Sequence, residues 1–134
     1  EDLMPTLLDF AGLPIPKAVD GSSLMPLMRD PSAPWRDFLH GEHGNCYGEH
    51  QSNHYLTDGH FKFIWYTHSG EEQLFDLTSD PEERHNLVTS PHHGEHLQIW
   101  RSRLIDRLKD RPEGFSDGSQ LLAGKAHDAV MPPA

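Results

Sequence analysis

The middle of the chain alternates apolar and polar residues in the manner of a β-hairpin. Residues 54–57 form one short run and residues 61–66 form a second, with Asp58-Gly59 at the turn between them. Asp-Gly between two such runs is a strong hairpin signal, because Gly tolerates the backbone angles of a tight turn. Three aromatic residues share one face of the second run: Phe61, Phe63 and Trp65. We therefore predict a strand pair with one buried aromatic face and one mixed face.

Two further strands and a helix extend this hairpin into a domain. Residues 38–43 begin as a strand before a polar loop, and residues 73–77 follow as another antiparallel strand. Residues 91–111 form an amphipathic helix. Its apolar side consists of Leu97, Trp100, Leu104, Ile105 and Leu108. The pattern predicts an α+β fold, in which a small antiparallel sheet of about four strands carries a packed C-terminal helix.

The first thirty residues have a helical character of their own. Residues 3–11 carry an apolar stripe at helical spacing, and Gly12 is placed to end the helix. Proline is tolerated only in the first turns of a helix, so Pro5 leads us to expect that this helix begins upstream of Glu1. A linker rich in proline follows at residues 30–34, where we expect a change of architecture.

Composition limits the size of the core and the choice of partners. With 134 residues and 35% hydrophobic content, the chain has the length of one domain but a thin core. We expect it to borrow core from a neighbouring domain, with exposed apolar area on one sheet face and on the first helix, at Leu3, Leu7 and Leu8. A net charge of −10 offers no basic surface, so we expect neither nucleic acid nor a membrane as a partner. The single cysteine, Cys46, excludes an internal disulfide.

Residues 74–87 read L-F-D-L-T-S-D-P-E-E-R-H-N-L. This stretch resembles the pattern L-[FY]-D-L-x-x-D-P-x-E-x-x-N-L found near the C-terminus of type I sulfatases, the arylsulfatase-like branch of the alkaline phosphatase superfamily. Three earlier blocks resemble the same family in the same order: residues 2–12, 20–27 and 57–64. The resemblance implies the C-terminal part of an enzyme that hydrolyses sulfate esters.

The same resemblance implies a division of the chain. Residues 1–30 would be a helical remnant, the C-terminal edge of a larger sulfatase α/β domain. Residues 31–112 would be the sulfatase C-terminal subdomain, and residues 113–134 an irregular tail. The implied partners are the missing N-terminal sulfatase domain and a sulfated small molecule or glycan.

The family's cofactors are a formylglycine, made from Cys or Ser in a C/S-x-P-x-R motif, and a divalent cation, usually calcium, that holds the sulfate. Cys46 is followed by Tyr47-Gly48-Glu49 and does not match this motif, and we assign no serine to it. We therefore expect no cofactor and no catalytic residue in this chain. Calcium and formylglycine are expected in the N-terminal domain, and the chain alone is expected to be inactive.

Two other functions fit the same blocks. One is a non-catalytic binding or interaction module that retains a sulfatase-like C-terminal fold. The other is part of a phosphonate monoester or phosphodiester hydrolase of the same superfamily, because the C-terminal blocks do not encode the chemistry of the leaving group.

The polar loop at residues 40–54 is the predicted place of substrate contact. It concentrates ionisable groups on Gly-containing backbone just after a strand, where binding residues tend to lie. The resemblance places the corresponding region on the substrate side of the pocket, and we predict Glu42, His43 and Tyr47 as substrate-binding residues. The alternative is an ordinary solvated loop.

Metal binding within the chain is a competing interpretation. Two groups of histidines offer imidazoles: His40 with His43, and His92 with His93 and His96. Neither forms an H-E-x-x-H motif or has a third ligand at a suitable spacing, so we predict no metal site. Three acidic residues of the 74–87 stretch resemble a calcium cluster: Asp76, Asp80 and Glu83. We predict that they cap the turn backbone instead.

Overall fold

The computed structural model describes residues 1–44 and 51–125, and the chain forms two compact units, Glu1–Arg36 and Asp37–Ala134. The boundary between the units follows the proline-rich linker that the sequence predicts at residues 30–34. In the described part of the chain, no helix has both the length and the apolar character needed to span a membrane.

The first unit contains two short helices, α1 (Leu3–Phe10) and α2 (Met25–Arg29). In the structure α1 begins at Leu3, and a helix start upstream of Glu1 stays a prediction. Pro5 is the third residue of α1, where the backbone N–H would have no intrahelical acceptor, so proline costs nothing there. The Ser23 hydroxyl near α2 donates to Asp9 Oδ2 of α1 at 2.5 Å.

The apolar stripe of α1 lies largely in the open. Leu3, Leu7 and Phe10 are 75%, 68% and 75% exposed, as predicted for the first two, and Leu8 is half-buried. α1 therefore carries an exposed apolar surface.

The second unit is built on a four-stranded antiparallel sheet in the order β1-β2-β3-β4. Its strands are β1 (Leu39–His43), β2 (Asn53–Thr57), β3 (Phe61–Tyr66) and β4 (Glu72–Asp76). A short 3-10 helix (Pro91–His93) leads into the long helix α3 (Gly94–Leu108). The predicted α+β fold is confirmed, and the predicted hairpin turn is present with Gly59 at φ +89°.

The core lies between one face of the sheet and α3. The side chains that form it are Leu56, Phe63, Trp65, Leu74, Leu97, Trp100, Leu104, Leu108 and Phe115. The face predicted to be aromatic and buried is therefore the inner face of the sheet. On the outer face, Tyr55, Ile64 and Tyr66 are half-buried, so the apolar exposure predicted for one sheet face is limited.

The 74–87 stretch leaves β4 as a series of turns that bind their own backbone. Asp76 Oδ1 accepts the Thr78 N–H at 2.9 Å, and Asp80 Oδ2 accepts the His85 N–H at 2.8 Å, as predicted for these two acids. Hydrogen bonds from the Ser79 side chain and from neighbouring backbone amides hold the pKa of Asp76 below its usual value. Glu83 differs from the prediction, because it pairs with Lys62 Nζ at 2.9 Å.

Residues 113–125, which the sequence analysis placed in an irregular tail, pack against the sheet. Phe115 is 1% exposed, and its carbonyl accepts the Leu122 N–H at 2.8 Å. Gly124 N–H donates to the Thr67 carbonyl at 2.9 Å. A single aromatic anchor without periodicity has no sequence signature, so the pattern did not predict this closing segment.

Candidate functional site

Strand pairing brings three chemically active side chains together on the inner face of the sheet. His40 and Glu42 are two residues apart on β1, so they point to the same face. Glu42 is the cross-strand partner of His54 on β2. The ladder thus places all three side chains at one end of the face that carries the core.

The polar atoms of this cluster are close to one another. His40 Nε2 lies 3.1 Å from His54 Nδ1, and His54 Nδ1 lies 3.6 Å from Glu42 Oε2. One ligand-type atom of each residue lies within 4.8 Å of the others. We call these three residues the His40–Glu42–His54 cluster.

His54 is the buried member of the cluster, at 3% exposure. Its ring packs edge-on against Phe115 with centroids 5.1 Å apart and stacks on Trp65 at 6.3 Å. The ring of His40 also stacks on the His54 ring, with centroids 5.3 Å apart. This packing fixes the orientation of His54, and the apolar neighbours strengthen any electrostatic interaction at its nitrogen.

An arginine that follows α3 in the chain contacts the cluster through Glu42. Arg111 donates to Glu42 Oε2 at 2.7 Å and makes two further bonds to Glu113, at 2.5 and 3.2 Å. The bonds from Arg111 hold the pKa of Glu113 below its usual value, and the bond to Glu113 raises the pKa of Arg111. Arg111 and Glu113 therefore stay charged at neutral pH.

A small cavity opens beside the cluster. The residues around it include Glu42, His43, Ser52, His54 and Arg111. Of the predicted substrate-binding residues, Glu42 and His43 lie at its rim, and Tyr47 lies outside the described residues. Substrate binding by these three residues stays a prediction.

A glycine in β1 leaves room for the ring of a tyrosine on β2 to pack against the β1 backbone. A Cβ atom added at Gly41 would lie 2.2 Å from Cζ of the Tyr55 ring, which crosses the strand at that point. Because Gly41 stands between His40 and Glu42, the packing of Tyr55 on it positions both cluster residues from the opposite face.

The histidines that the sequence offers as imidazole donors are arranged differently in the structure. His40 lies with Glu42 and His54. His93 and His96 do approach, with ring centroids 6.1 Å apart, but His96 stacks on Phe61 at 4.5 Å. Sequence reasoning missed the roles of His54 and Arg111, because they depend on the β1–β2 register and on the turn after α3.

One serine does match the formylglycine motif by letter, contrary to the sequence analysis: residues 32–36 read S-A-P-W-R. In the structure, Ser32 lies in an exposed turn and donates its hydroxyl hydrogen to Asp30 Oδ1 at 2.7 Å. Arg36 pairs with Asp2 at 2.6 Å. Both side chains thus have local structural roles in the first unit.

Comparison with known proteins identifies the family. Residues 1–110 match the model of the family described as N-sulphoglucosamine sulphohydrolase, C-terminal. The chain belongs to this family. It is 47% identical over 123 residues to an arylsulfatase of Clostridium perfringens, covering 92% of this chain and 25% of the relative.

Solved structures agree with this assignment. A 2-O GAG sulfatase superposes with a TM-score of 0.74 at 27% identity, covering 91% of this chain and 27% of that one. A phosphonate monoester hydrolase from Silicibacter pomeroyi gives a TM-score of 0.64 at 30% identity, covering 84% of this chain and 25% of that one. The chain spans about a quarter of the length of the relatives that it matches. The sulfatase resemblance read from the sequence is confirmed.

Proposed function

We propose that this chain is the C-terminal part of a sulfatase that hydrolyses sulfate esters to an alcohol and sulfate. The observation that carries the proposal is the 47% identity to an arylsulfatase over 92% of the chain. The chain corresponds to a quarter of that relative, so the proposal concerns a longer protein that includes these residues.

The reaction centre belongs, in this proposal, to the rest of the longer protein. Two observations support this location for the formylglycine: Cys46 lacks the motif, and Ser32, which matches it by letter, is engaged with Asp30 in an exposed turn. Asp76 and Asp80 each accept a hydrogen bond from a nearby backbone N–H, and Asp76 also accepts one from the Ser79 hydroxyl. The exposed stripe of α1 is the proposed contact with the missing domain.

The first experiment compares the longer protein with the 134-residue chain. Both are assayed with 4-nitrophenyl sulfate and, in parallel, with a phenylphosphonate monoester. We expect the longer protein to hydrolyse the sulfate ester in preference to the phosphonate, and the chain alone to hydrolyse neither. Preference for the phosphonate would favour the hydrolase represented by the Silicibacter pomeroyi neighbour. Inactivity of the longer protein toward both would favour a non-catalytic module.

Ser32 gives a sharp control on where the nucleophile lies. Ser32→Ala in the longer protein should leave kcat for the sulfate ester unchanged, because the hydroxyl only closes a turn on Asp30. Loss of activity in this variant, with the fold intact by circular dichroism, would indicate that the formylglycine forms at Ser32.

We further propose that Glu42, His43 and Tyr47 contact the sulfated substrate. Glu42 and His43 border the cavity and carry groups that hydrogen-bond an alcohol or sugar. His43→Ala and Tyr47→Phe in the longer protein should each raise KM several-fold with little change in kcat. His92→Ala, an exposed histidine at the start of the 3-10 helix, is the matched control. Equal KM values in all variants would show that these residues do not contact the substrate.

A further inference from the structure

Within the His40–Glu42–His54 cluster, Glu42 alone is proposed to contact the substrate, and the two histidines beside it suggest a further ligand. We propose that His40, Glu42 and His54 bind a divalent transition-metal ion of the zinc class. The proposal rests on residues of this chain alone and is independent of the reaction that the longer protein performs.

The donor set selects the type of ion. Two imidazole nitrogens and one carboxylate form the ligand set of three-residue zinc sites that keep a fourth position open. Imidazole suits zinc and its neighbours in the transition series, whereas calcium and magnesium prefer oxygen ligands throughout. The cavity beside Glu42 and His43 provides room for the fourth ligand, such as water.

The geometry is set by the sheet before any ion binds. Glu42 and His54 are cross-strand partners, and His40 is two residues along the same strand as Glu42. Zinc–nitrogen bonds of about 2.0–2.1 Å put tetrahedral donor atoms about 3.3–3.4 Å apart. The separations of 3.1 Å between the imidazole nitrogens and 3.6 Å between His54 Nδ1 and Glu42 Oε2 straddle this value.

The 3.1 Å separation of the two nitrogens is the length of an N–H···N hydrogen bond between the rings. In neutral rings one of the two nitrogens carries the hydrogen and the other accepts it. A proton satisfies the pair in the absence of metal, and a dication would displace that proton as it binds.

The charged groups around the cavity favour a cation. Glu42 and Glu113 contribute two negative charges and Arg111 one positive charge, which leaves one net negative charge among them. Arg111 is fixed by Glu113 and donates to Glu42 Oε2 at 2.7 Å, the same oxygen that lies 3.6 Å from His54 Nδ1. Hydrogen bonds of this kind orient a ligating carboxylate.

The test measures zinc binding by the 134-residue chain. The chain is stripped with a chelator, and zinc is then titrated in competition with a chromophoric chelator while the Tm is followed. We expect one zinc ion per chain and a raised Tm. His40→Ala and Glu42→Gln should each weaken binding at least tenfold and abolish the rise in Tm. Calcium at the same concentration should produce neither effect.

A double variant, His93→Ala with His96→Ala, is the matched control, because it removes the other close pair of histidine rings in the described chain. Its zinc affinity should equal that of the unmodified chain. Near-UV circular dichroism verifies the fold of every variant. Absence of zinc uptake, or uptake that only the double variant abolishes, would overturn the proposal and assign any binding to adventitious surface histidines.

Discussion

The 74–87 stretch and the His40–Glu42–His54 cluster use acidic side chains in opposite ways. Asp76 and Asp80 accept hydrogen bonds from residues two and five positions further along the chain. Glu42 instead meets His54, which lies across the sheet, and Arg111, which lies after α3. The first arrangement is local in sequence, whereas the second exists only once the domain has folded.

This difference explains why the two regions carry different information. A local hydrogen-bonding pattern leaves a readable motif, so the 74–87 stretch identifies the family. A cluster assembled from distant residues leaves no motif, so chemistry can lie where the sequence shows only scattered polar residues. We therefore expect substitutions in the 74–87 stretch to change mainly the stability of the domain. Substitutions in the His40–Glu42–His54 cluster should change mainly the binding of a ligand.

The largest expected effect is a loss of stability when the buried leucine at the start of the 74–87 stretch is shortened. Leu74 is fully buried where β4 enters the stretch, and Leu74→Ala should lower the free energy of unfolding by about 2–5 kcal/mol through lost burial and a residual cavity. Urea denaturation measures the change. Leu39→Ala, at a side chain 39% exposed, should cost clearly less. Equal losses would show that β4 does not anchor the core.

Asn86 ties the end of the stretch back to β4. Its Oδ1 accepts the Leu74 N–H at 3.0 Å and the Val88 N–H at 3.1 Å. Asn86→Ala should therefore cost about 1–2 kcal/mol of stability in urea denaturation. Asn86→Asp retains the acceptor oxygens and should recover most of the loss. A failure of Asp to do so would indicate that the amide nitrogen, and its bond to the Glu72 carbonyl, is the more important group.

Glu113 allows the second region to be tested through pH. Its folded-state pKa is below the ordinary value of 4.5, so its stabilising contribution is present above about pH 4.5 and is lost as pH falls through the lowered value. Glu113→Gln should lower stability by about 1 kcal/mol at pH 7 and reduce the slope of stability against pH below 4.5. Thermal unfolding from pH 7 to pH 3 measures both effects.

Glu82→Gln is the control for this experiment, since Glu82 is exposed and pairs with Arg84 on the surface. It should leave the pH profile unchanged. If the two variants behaved alike, the Arg111–Glu113 pair would be as weakly coupled to folding as an ordinary surface pair.

The smallest expected effect is at Asp76. Asp76→Asn keeps an oxygen that accepts the Thr78 N–H, so stability at pH 7 should change less than in Glu113→Gln. Asp76→Ala removes this acceptor and should lower Tm further than Asn does. The reverse order would mean that the negative charge of Asp76, rather than its hydrogen bonds, supports the turn.

The elements that the sequence predicted are those in which apolar residues recur at a regular spacing. Alternation located β2 and β3, and the helical stripe from Leu97 to Leu108 located α3 to within a few residues. The burial of Phe115 was not predicted, because a single buried ring produces no periodic pattern. The β1–β2 register was not predicted either, because residues 44–52 separate the two strands in the sequence. The pairing of His40 with His54 follows from that register and could not be read from spacing.

The two regions also meet across the back of the sheet. Glu83 of the 74–87 stretch holds Lys62, whose ammonium lies 5.4 Å from the centre of the Tyr55 ring. Tyr55 in turn covers Gly41, between the two cluster residues of β1. A substitution of Glu83 in the 74–87 stretch therefore has a route, through Lys62 and Tyr55, to the spacing of His40 and Glu42.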